Sequence, residues 1–256
     1  AWGDRDWAYE PGKFFIGIEV HPRHQGRGLG TRLYNYLADQ VVQAGPETVS
    51  ITSFTREDQD RGQRFLEDRG FAQVMRFNRS RLDVQAFDSG RFTRWVERAC
   101  QAGIAIKSLA QLAEEVPDWQ RKYYDLDVEL GKDVPYHDEF TPLAYETYVQ
   151  GVLGSPNFYP EAAFVALDGE QWVGTSALWR NTANPQRLGT GLTGVSRSHR
   201  RLGVATAMKV AAISFAQEKG ITEIDTDNEE NNPMYQINVQ LGFEPVPASL
   251  DFLKEF

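Results

Sequence analysis

The sequence predicts an α/β protein built from two copies of one unit: strand, glycine-bearing loop, helix, strand, helix, strand. Three observations carry this. A loop pattern occurs twice, as Val20-His-Pro-Arg-His-Gln25-Gly26-Arg27-Gly28-Leu29-Gly30 and as Val195-Ser-Arg-Ser-His-Arg200-Arg201-Leu202-Gly203-Val204-Ala205. After each loop an apolar residue recurs about every four positions, the helical period: Leu29, Leu33, Leu37 and Val41, then Val204, Met208, Ala211 and Phe215. Each copy closes on Gly-Phe, at Gly70-Phe71 and Gly242-Phe243.

In chain order, the first helix starts at Leu29 and stops near Gly45. A β-prone run, Thr48-Val49-Ser50-Ile51, follows, and a shorter helix leads to Gly70-Phe71. Arg91 to Gln101 reads as a connecting helix, which divides the chain into 1–88, 89–102 and 103–256. Trp119 to Leu130 and Pro142 to Leu153 have helical patterns, whereas Glu161 to Leu167 and Gln171 to Trp179 read as strands joined at the turn signal Asp168-Gly169. The second long helix stops near Gly220, and Ile221-Thr222-Glu223-Ile224 is the strand after it. The copies are unequal, since only 24 residues precede Gln25. Either the first copy is half a domain, or an arm of helices and strands has been removed ahead of Ala1, which is not an initiator Met. In both cases the first domain is expected to be partial and degenerate.

Composition narrows the function classes. A chain of 256 residues, 41% hydrophobic and 12% aromatic, can bury a real core. Lys and Arg number 27 against 36 Asp and Glu, a formal net charge of −9. That balance opposes nucleic-acid binding and docking on anionic lipid, both of which need a basic footprint. No run approaches the roughly 18 apolar residues of a membrane span, and Ala1-Trp2-Gly3-Asp4 does not open a signal peptide. The lone Cys100 closes no intrachain disulfide and builds no cysteine-rich metal site. It reads as a small core hydrophobe in a protein of a reducing, cytoplasmic compartment, and no metal is expected.

A strand that feeds a glycine-bearing loop and then a helix start is physically an anion site. The first helical turn offers unpaired N–H groups and partial positive charge, and glycines allow close approach. Arg23, Arg27, Arg197, Arg200 and Arg201 can add point charges. No Lys-Ser/Thr follows the last glycine, so neither loop is a nucleotide P-loop.

These loops resemble the pyrophosphate loop of the GCN5-related N-acetyltransferase family, specifically its tandem two-domain members. The residues that carry the resemblance are Gln25-x-x-Gly28-x-Gly30, Arg200-x-x-Gly203-x-Ala205, the lead-in Val20-His21-Pro22, and Thr226 to Phe243 with its Asn-rich helix start and Leu-Gly-Phe. The resemblance implies a mixed sheet splayed in its middle, with acetyl-CoA threaded into the splay. It also implies that Thr193, Gly194 and Val195 pair with the pantetheine arm like an added strand. Arg200 and the N–H groups of Arg201, Leu202, Gly203, Val204, Ala205 and Thr206 would hold the pyrophosphate, and Asn228 and Asn231 would meet the cofactor. In the first copy Glu19 and Val20 would serve the arm, and Gln25, Gly26, Arg27, Gly28, Leu29, Gly30 and Thr31 the pyrophosphate.

The sequence also departs from the family. Many members carry a Tyr five residues before the Phe of Gly-Phe, where it protonates the leaving thiolate. Here that position is Leu66 in the first copy and Asn238 in the second. Leu66 makes the first copy catalytically weak. Tyr235, about one turn before Asn238, is the nearest substitute, or else a packed aromatic. Asn231 and Asn232 also read as helix caps. His21, His24 and His199 read as surface or phosphate-side groups, and His137 has no identifiable metal partners.

The implied reaction is acetyl transfer from acetyl-CoA to a primary amine by direct attack, with the oxyanion held by a backbone N–H near Val195. Glu223 and Asp225 are candidate bases. The acidic stretch Asp125, Asp127, Glu129, Asp133, Asp138 and Glu139 reads either as a wall that attracts a cationic amine or as a solvated face. A polyamine, aminoglycoside, amino acid or peptide amine all fit, and a homodimer is an admissible assembly. Two other classes stay open: a non-catalytic acyl-CoA-binding or regulatory module, and a nucleotide-binding protein that uses the same loops.

Overall fold

A computed structural model describes residues 2–5, 12–43 and 49–256. The chain forms two compact units. The first holds residues up to Asn78, Tyr136–Leu143 and Pro247–Phe256; the second holds Arg79–Pro135 and Ala144–Val246. The expected segments are 1–88, 89–102 and 103–256, and these units have other bounds. The connecting helix belongs to the second unit, and the last ten residues of the chain, Pro247–Phe256, belong to the first.

The first unit contains β1 (Trp2–Arg5), β2 (Lys13–Gly17), α1 (Leu29–Gln43), β3 (Ser50–Arg56), α2 (Asp60–Glu67) and the start of β4 (Ala72–Asp83). Of the predicted stripe on α1, Leu37 and Val41 are buried and Leu33 is half-buried, whereas Leu29 is exposed and Tyr34 joins the buried face. The helix turns its Tyr34 face inward because Ile16, Ile51, Leu66 and Phe71 pack there. Gly45 and Thr48 lie outside the described residues.

The second unit follows with α3 (Thr93–Gln101), β5 (Ile104–Ser108), α4 (Leu109–Glu115), α5 (Trp119–Gly131), α6 (Tyr145–Tyr148), β6 (Ala163–Asp168), β7 (Gln171–Arg180), β8 (Arg187–Val195), α7 (Val204–Glu218), β9 (Glu223–Glu229) and α8 (Met234–Gln240). β10 (Glu244–Glu255) leaves this unit at Val246 and finishes in the first. There it runs antiparallel to β3, from Ser249 opposite Arg56 to Glu255 opposite Ser50. Its Leu250 and Phe252 complete the first core, where burying such side chains contributes about 1.5–3 kcal/mol each.

Local sequence explains most elements of the second unit. Ser108 and Gln111 exchange hydrogen bonds as a capping box that starts α4. Gly169, at φ 57°, turns β6 into β7. Strand β7 is buried from Trp172 through Leu178, because α5 and α7 both pack on it. Helix α7 is buried more widely than one stripe, through Val204, Ala207, Met208, Ala212, Ile213 and Ala216. On α3, Ala99 takes the buried position and Cys100 points outward, so the core reading of that cysteine is corrected. Among the described residues no helix is long and apolar enough to cross a membrane, and no group of His, Cys, Asp and Glu could hold a metal ion.

Candidate active site

The site begins where two parallel strands part. Strand β8 pairs with β9 only as Arg187 opposite Glu223, Leu188 opposite Ile224 and Gly189 opposite Asp225. Beyond Gly189 the strands separate, although β8 runs on to Val195 and β9 to Glu229. The backbone of β8 from Thr190 to Val195 is therefore an open edge on that side, the kind an extended chain can join. The paired end is clamped by ions. Arg187 Nε donates to Glu223 at 2.7 Å, Arg81 Nε donates to Asp225 at 2.6 Å, and Arg187 also reaches Asp225 at 3.6 Å. Glu223 and Asp225, the candidate bases, are thus held as acceptors in a cluster with two arginines. At the crotch Thr190 Oγ1 donates to Thr226 Oγ1 at 2.8 Å.

The first unit repeats the device. Strand β2 pairs in parallel with β3 only at Lys13, Phe14 and Phe15, opposite Ser50, Ile51 and Thr52. Ser53 Oγ donates to the Ile16 carbonyl at 3.0 Å, just past the last pair.

Both forks lead into loops of one geometry. A 3₁₀ turn, Pro22–His24 or Arg197–His199, is followed by an extended residue, Gln25 (φ −67°, ψ 160°) or Arg200 (φ −69°, ψ 156°). The next residue is left-handed, Gly26 at φ 73° and Arg201 at φ 65°, and so is the last one before the helix, Gly28 at φ 74° and Gly203 at φ 84°. Gly203 has a second constraint, since a Cβ there would sit 2.9 Å from the Trp95 carbonyl. Gln25 Nε2 and Arg200 Nε each donate at 3.0 Å to the carbonyl five residues earlier, Val20 and Val195. The first residue of the motif is therefore a brace for the loop.

This moves charge away from the expected places. Asp133 takes both Arg197, at 2.5 Å, and Arg200, and the two guanidinium groups, Arg197 foremost, hold its carboxyl down at about 2. Both arginines are thus engaged by Asp133 beside the loop. The backbone amides remain. No side chain caps α7, and among the described residues the N–H groups of Arg201, Leu202, Gly203, Val204, Ala205 and Thr206 meet no protein acceptor; the first such bond is Ala207 N–H to Gly203 at 2.9 Å. The first loop is alike, with Arg32 N–H to Gly28 at 3.1 Å opening α1 and Gly26 to Gly30 exposed or half-buried. Glu19 and Arg27 are exposed and Leu29 leaves the core, while Val20 anchors Gln25. Arg69, which the sequence reading passed over, donates to Thr31 Oγ1 at 2.8 Å and stacks on Phe65 at 3.6 Å, adding a cation beside that helix start.

The polar groups of the second fork converge on Asn238. It is fully buried, donates through Nδ2 to Asn228 Oδ1 at 2.7 Å, and leaves its own Oδ1 without a partner. An orphaned buried acceptor is costly unless something supplies a donor. Leu66, its counterpart, is buried in the first core. Asn231 Nδ2 donates to Glu229 at 2.9 Å, two residues away at an exposed turn. Asn232 accepts from Met234 N–H at 2.9 Å as a cap. Tyr235 is half-buried on α8. Thr193 Oγ1 hydrogen-bonds Ser176 Oγ at 3.0 Å, and Gly194 pairs with Thr175 in the ladder.

On β8 the ladder also slips. Leu178 faces Thr190 and Ser176 faces Thr193, so Gly191 and Leu192 together oppose Ala177. Such a bulge re-aims backbone groups. It borders a cavity of about 350 Å³ lined by Tyr123, Asp127, Tyr148, Phe158 and Trp179, with Thr190, Gly191 and Leu192 on the β8 side. The Trp179 indole lies against Gly191, where no Cβ would fit. Of the six acidic residues expected to form a substrate wall, only Asp127 is in this cavity. Asp125 pairs with Arg121 at 3.0 Å, Glu129 accepts from Ser196 at 2.8 Å, Asp133 braces the loop, Asp138 pairs with Lys13 at 2.8 Å in the first unit, and Glu139 is exposed. Burial lifts the Asp127 carboxyl to about 6 against the pull of a Tyr148 hydrogen bond.

The profile of the acetyltransferase (GNAT) family matches residues 2–71 and 113–243. The chain belongs to this family. Solved structures agree on the fold. A GCN5-related N-acetyltransferase from Sphaerobacter thermophilus is 20% identical with a TM-score of 0.68, over 95% of this chain and 73% of that one. A tandem GNAT protein from the clavulanic acid biosynthesis pathway is 17% identical with a TM-score of 0.69, over 95% and 75%. A GCN5-related glucosamine N-acetyltransferase region of a fungal multi-domain β-N-acetylglucosaminidase is 15% identical with a TM-score of 0.69, over 94% and 29%. The chain matches no curated protein. This GNAT chain therefore carries a tandem form of the fold, and the chemistry of its family is acyl transfer.

Proposed function

We propose that the second unit is an N-acetyltransferase that moves an acetyl group from acetyl-CoA to the primary amine of a small molecule by direct attack. The observation that carries this reading is the fork: an open edge on β8, unengaged amides at the start of α7, and the orphaned Asn238 Oδ1, all in one unit. These groups fit the cofactor. The amides of Arg201 to Thr206 suit a diphosphate, the edge at Thr193 to Val195 suits the amide-bearing pantetheine arm, and Asn238 Oδ1 suits one of its N–H groups.

When bound, the thioester supplies an activated acyl carbon and a thiol leaving group. The chain supplies the rest. The Gly191–Leu192 bulge presents backbone N–H to negative charge that develops on the acyl oxygen. Asn238 cannot donate an acidic proton, so proton delivery to sulfur falls to Tyr235 or water. The cavity beside β8 admits the acceptor. A single cysteine suits a reducing compartment, the cytoplasm. For the first unit we favour binding without catalysis, because Leu66 stands where Asn238 stands in the second.

The test combines calorimetry with coenzyme A and release of free thiol from acetyl-CoA across an amine panel. Wild type is expected to bind coenzyme A and release thiol. Ala205→Glu, which puts a carboxylate at the anion site, is expected to weaken binding at least tenfold in protein of unchanged melting temperature. Coenzyme A binding absent from wild type, or equal in the variant, overturns the reading.

A further inference from the structure

We propose that the cavity beside β8 receives the ammonium group of a compact primary amine carried on an apolar body, paired with the Asp127 carboxylate and walled by Tyr123, Tyr148, Phe158 and Trp179. The assignment of this amine as the acyl acceptor rests on the transferase reading above; its binding does not.

The argument is one of charge and shape. Among the described residues Asp127 is the one ionised side chain on the cavity wall, and no Lys, Arg or His lines it. Its partner is the Tyr148 hydroxyl, and among the described residues no cation faces it. A carboxylate in such a place costs free energy until a cation arrives. The other acidic groups of its helix are already paired or in solvent, so the isolation of Asp127 is specific. The walls are aromatic, with Trp179 edge-on to Phe158 at 5.3 Å and Tyr123 at 6.2 Å from Phe158. Aromatic faces add attraction for an ammonium group. The volume of about 350 Å³ lies at the small end of ligand pockets.

The same features select among amines. A free amino acid brings a carboxylate into a cavity that already holds one and has no cation to receive it. An aminoglycoside brings many hydroxyls to walls that offer few hydrogen-bond partners. A compact amine with one charge and an apolar remainder satisfies both constraints. Asp127 also has a proton role. As the N–H bond of the ammonium breaks, Asp127 takes the proton on a carboxylate oxygen and the nitrogen keeps its lone pair for attack. Burial has raised its proton affinity above that of an ordinary Asp, and the groups that face it, Tyr123 and Tyr148, are neutral hydroxyls pushed up by the same burial.

The experiment titrates the full chain, with and without coenzyme A, with 2-phenylethylamine, its neutral analogue 2-phenylethanol and its anionic analogue 3-phenylpropanoate. Calorimetry and tryptophan fluorescence report binding. The amine is expected to bind at least tenfold more tightly than either analogue. Asp127→Asn is expected to lose at least tenfold in amine affinity while binding coenzyme A within twofold of wild type. The fluorescence change is expected to disappear in Trp179→Phe. Equal amine affinity in Asp127→Asn, equal binding of the alcohol, a fluorescence change that survives Trp179→Phe, or no amine binding by protein that binds coenzyme A would each overturn the proposal. Asp127-dependent amine binding by protein that ignores coenzyme A would uphold it and remove the transferase reading instead.

Discussion

Replacing Asp127 with Asn should make the protein more stable while removing amine recognition. The carboxyl titrates near 3.8 when solvated and at about 6 in the fold. That difference converts to about 3 kcal/mol at 1.36 kcal/mol per unit, an upper bound for a residue that keeps some contact with water. A neutral acceptor also weakens the Tyr148 hydrogen bond by about 1 kcal/mol. The net gain at pH 7.5 is therefore about 1–2 kcal/mol, or a rise of about 3–6 °C in melting temperature. The sign has a pH signature. Between 3.8 and 6 the folded state holds a proton that the unfolded state has released, so the wild type loses stability from this group as pH rises through that window. The advantage of Asp127→Asn should be full above pH 7 and nearly gone at pH 4. Thermal or urea melts of both proteins at pH 4, 6 and 7.5 measure it. A variant that is less stable at pH 7.5, or an advantage independent of pH, would refute the claim that Asp127 is a charge held for a ligand.

Lys209 is a second buried charge, pushed down to about 8 by burial, and Lys209→Met should stabilise the protein by about 1–3 kcal/mol at pH 7. Because its folded value lies below its usual 10.5, that advantage should shrink as pH rises from 8 to 10, which urea titrations across this range would show. Arg201→Gly relieves a left-handed arginine at φ 65° and should raise stability by about 0.5–1 kcal/mol, with coenzyme A affinity kept within threefold because the amide stays in place. Calorimetry checks the second part. Gly191→Ala drives a methyl into the Trp179 indole, so amine affinity should fall at least tenfold while coenzyme A binding holds; a simultaneous loss of both would mean the strand itself has moved.

Much of the second unit was legible because it rests on local chemistry. Gly203 and Gly28 are needed where the backbone turns left-handed, so the loops announce themselves in sequence. The Asp168-Gly169 hairpin and the helix from Trp119 follow from turn residues and apolar period. What the sequence could not show depended on long-range partners. Arg200 looks like a phosphate ligand until Asp133 is seen beside it, 67 residues away in sequence. Glu223 and Asp225 look like solvent-facing carboxylates until Arg81 arrives from 144 residues earlier. Nothing local distinguishes Asp127 from Asp125 on one helix; only the rings of Tyr148, Phe158 and Trp179, brought by other elements, isolate it. The destination of β10 was equally invisible, since its alternating pattern suits either core.

That last strand has a bearing on birth at the ribosome. Glu57 accepts a hydrogen bond from the Ala248 amide at 2.8 Å, across 191 residues. At about 5–20 residues per second, roughly 10–40 s of synthesis separate the two. The part of the chain made first is thus the last to be sealed, and β3 must wait as an unprotected edge while the entire second unit emerges. Chains that end at Val246, with the second unit complete, should leave the first unit open to protease and the second closed.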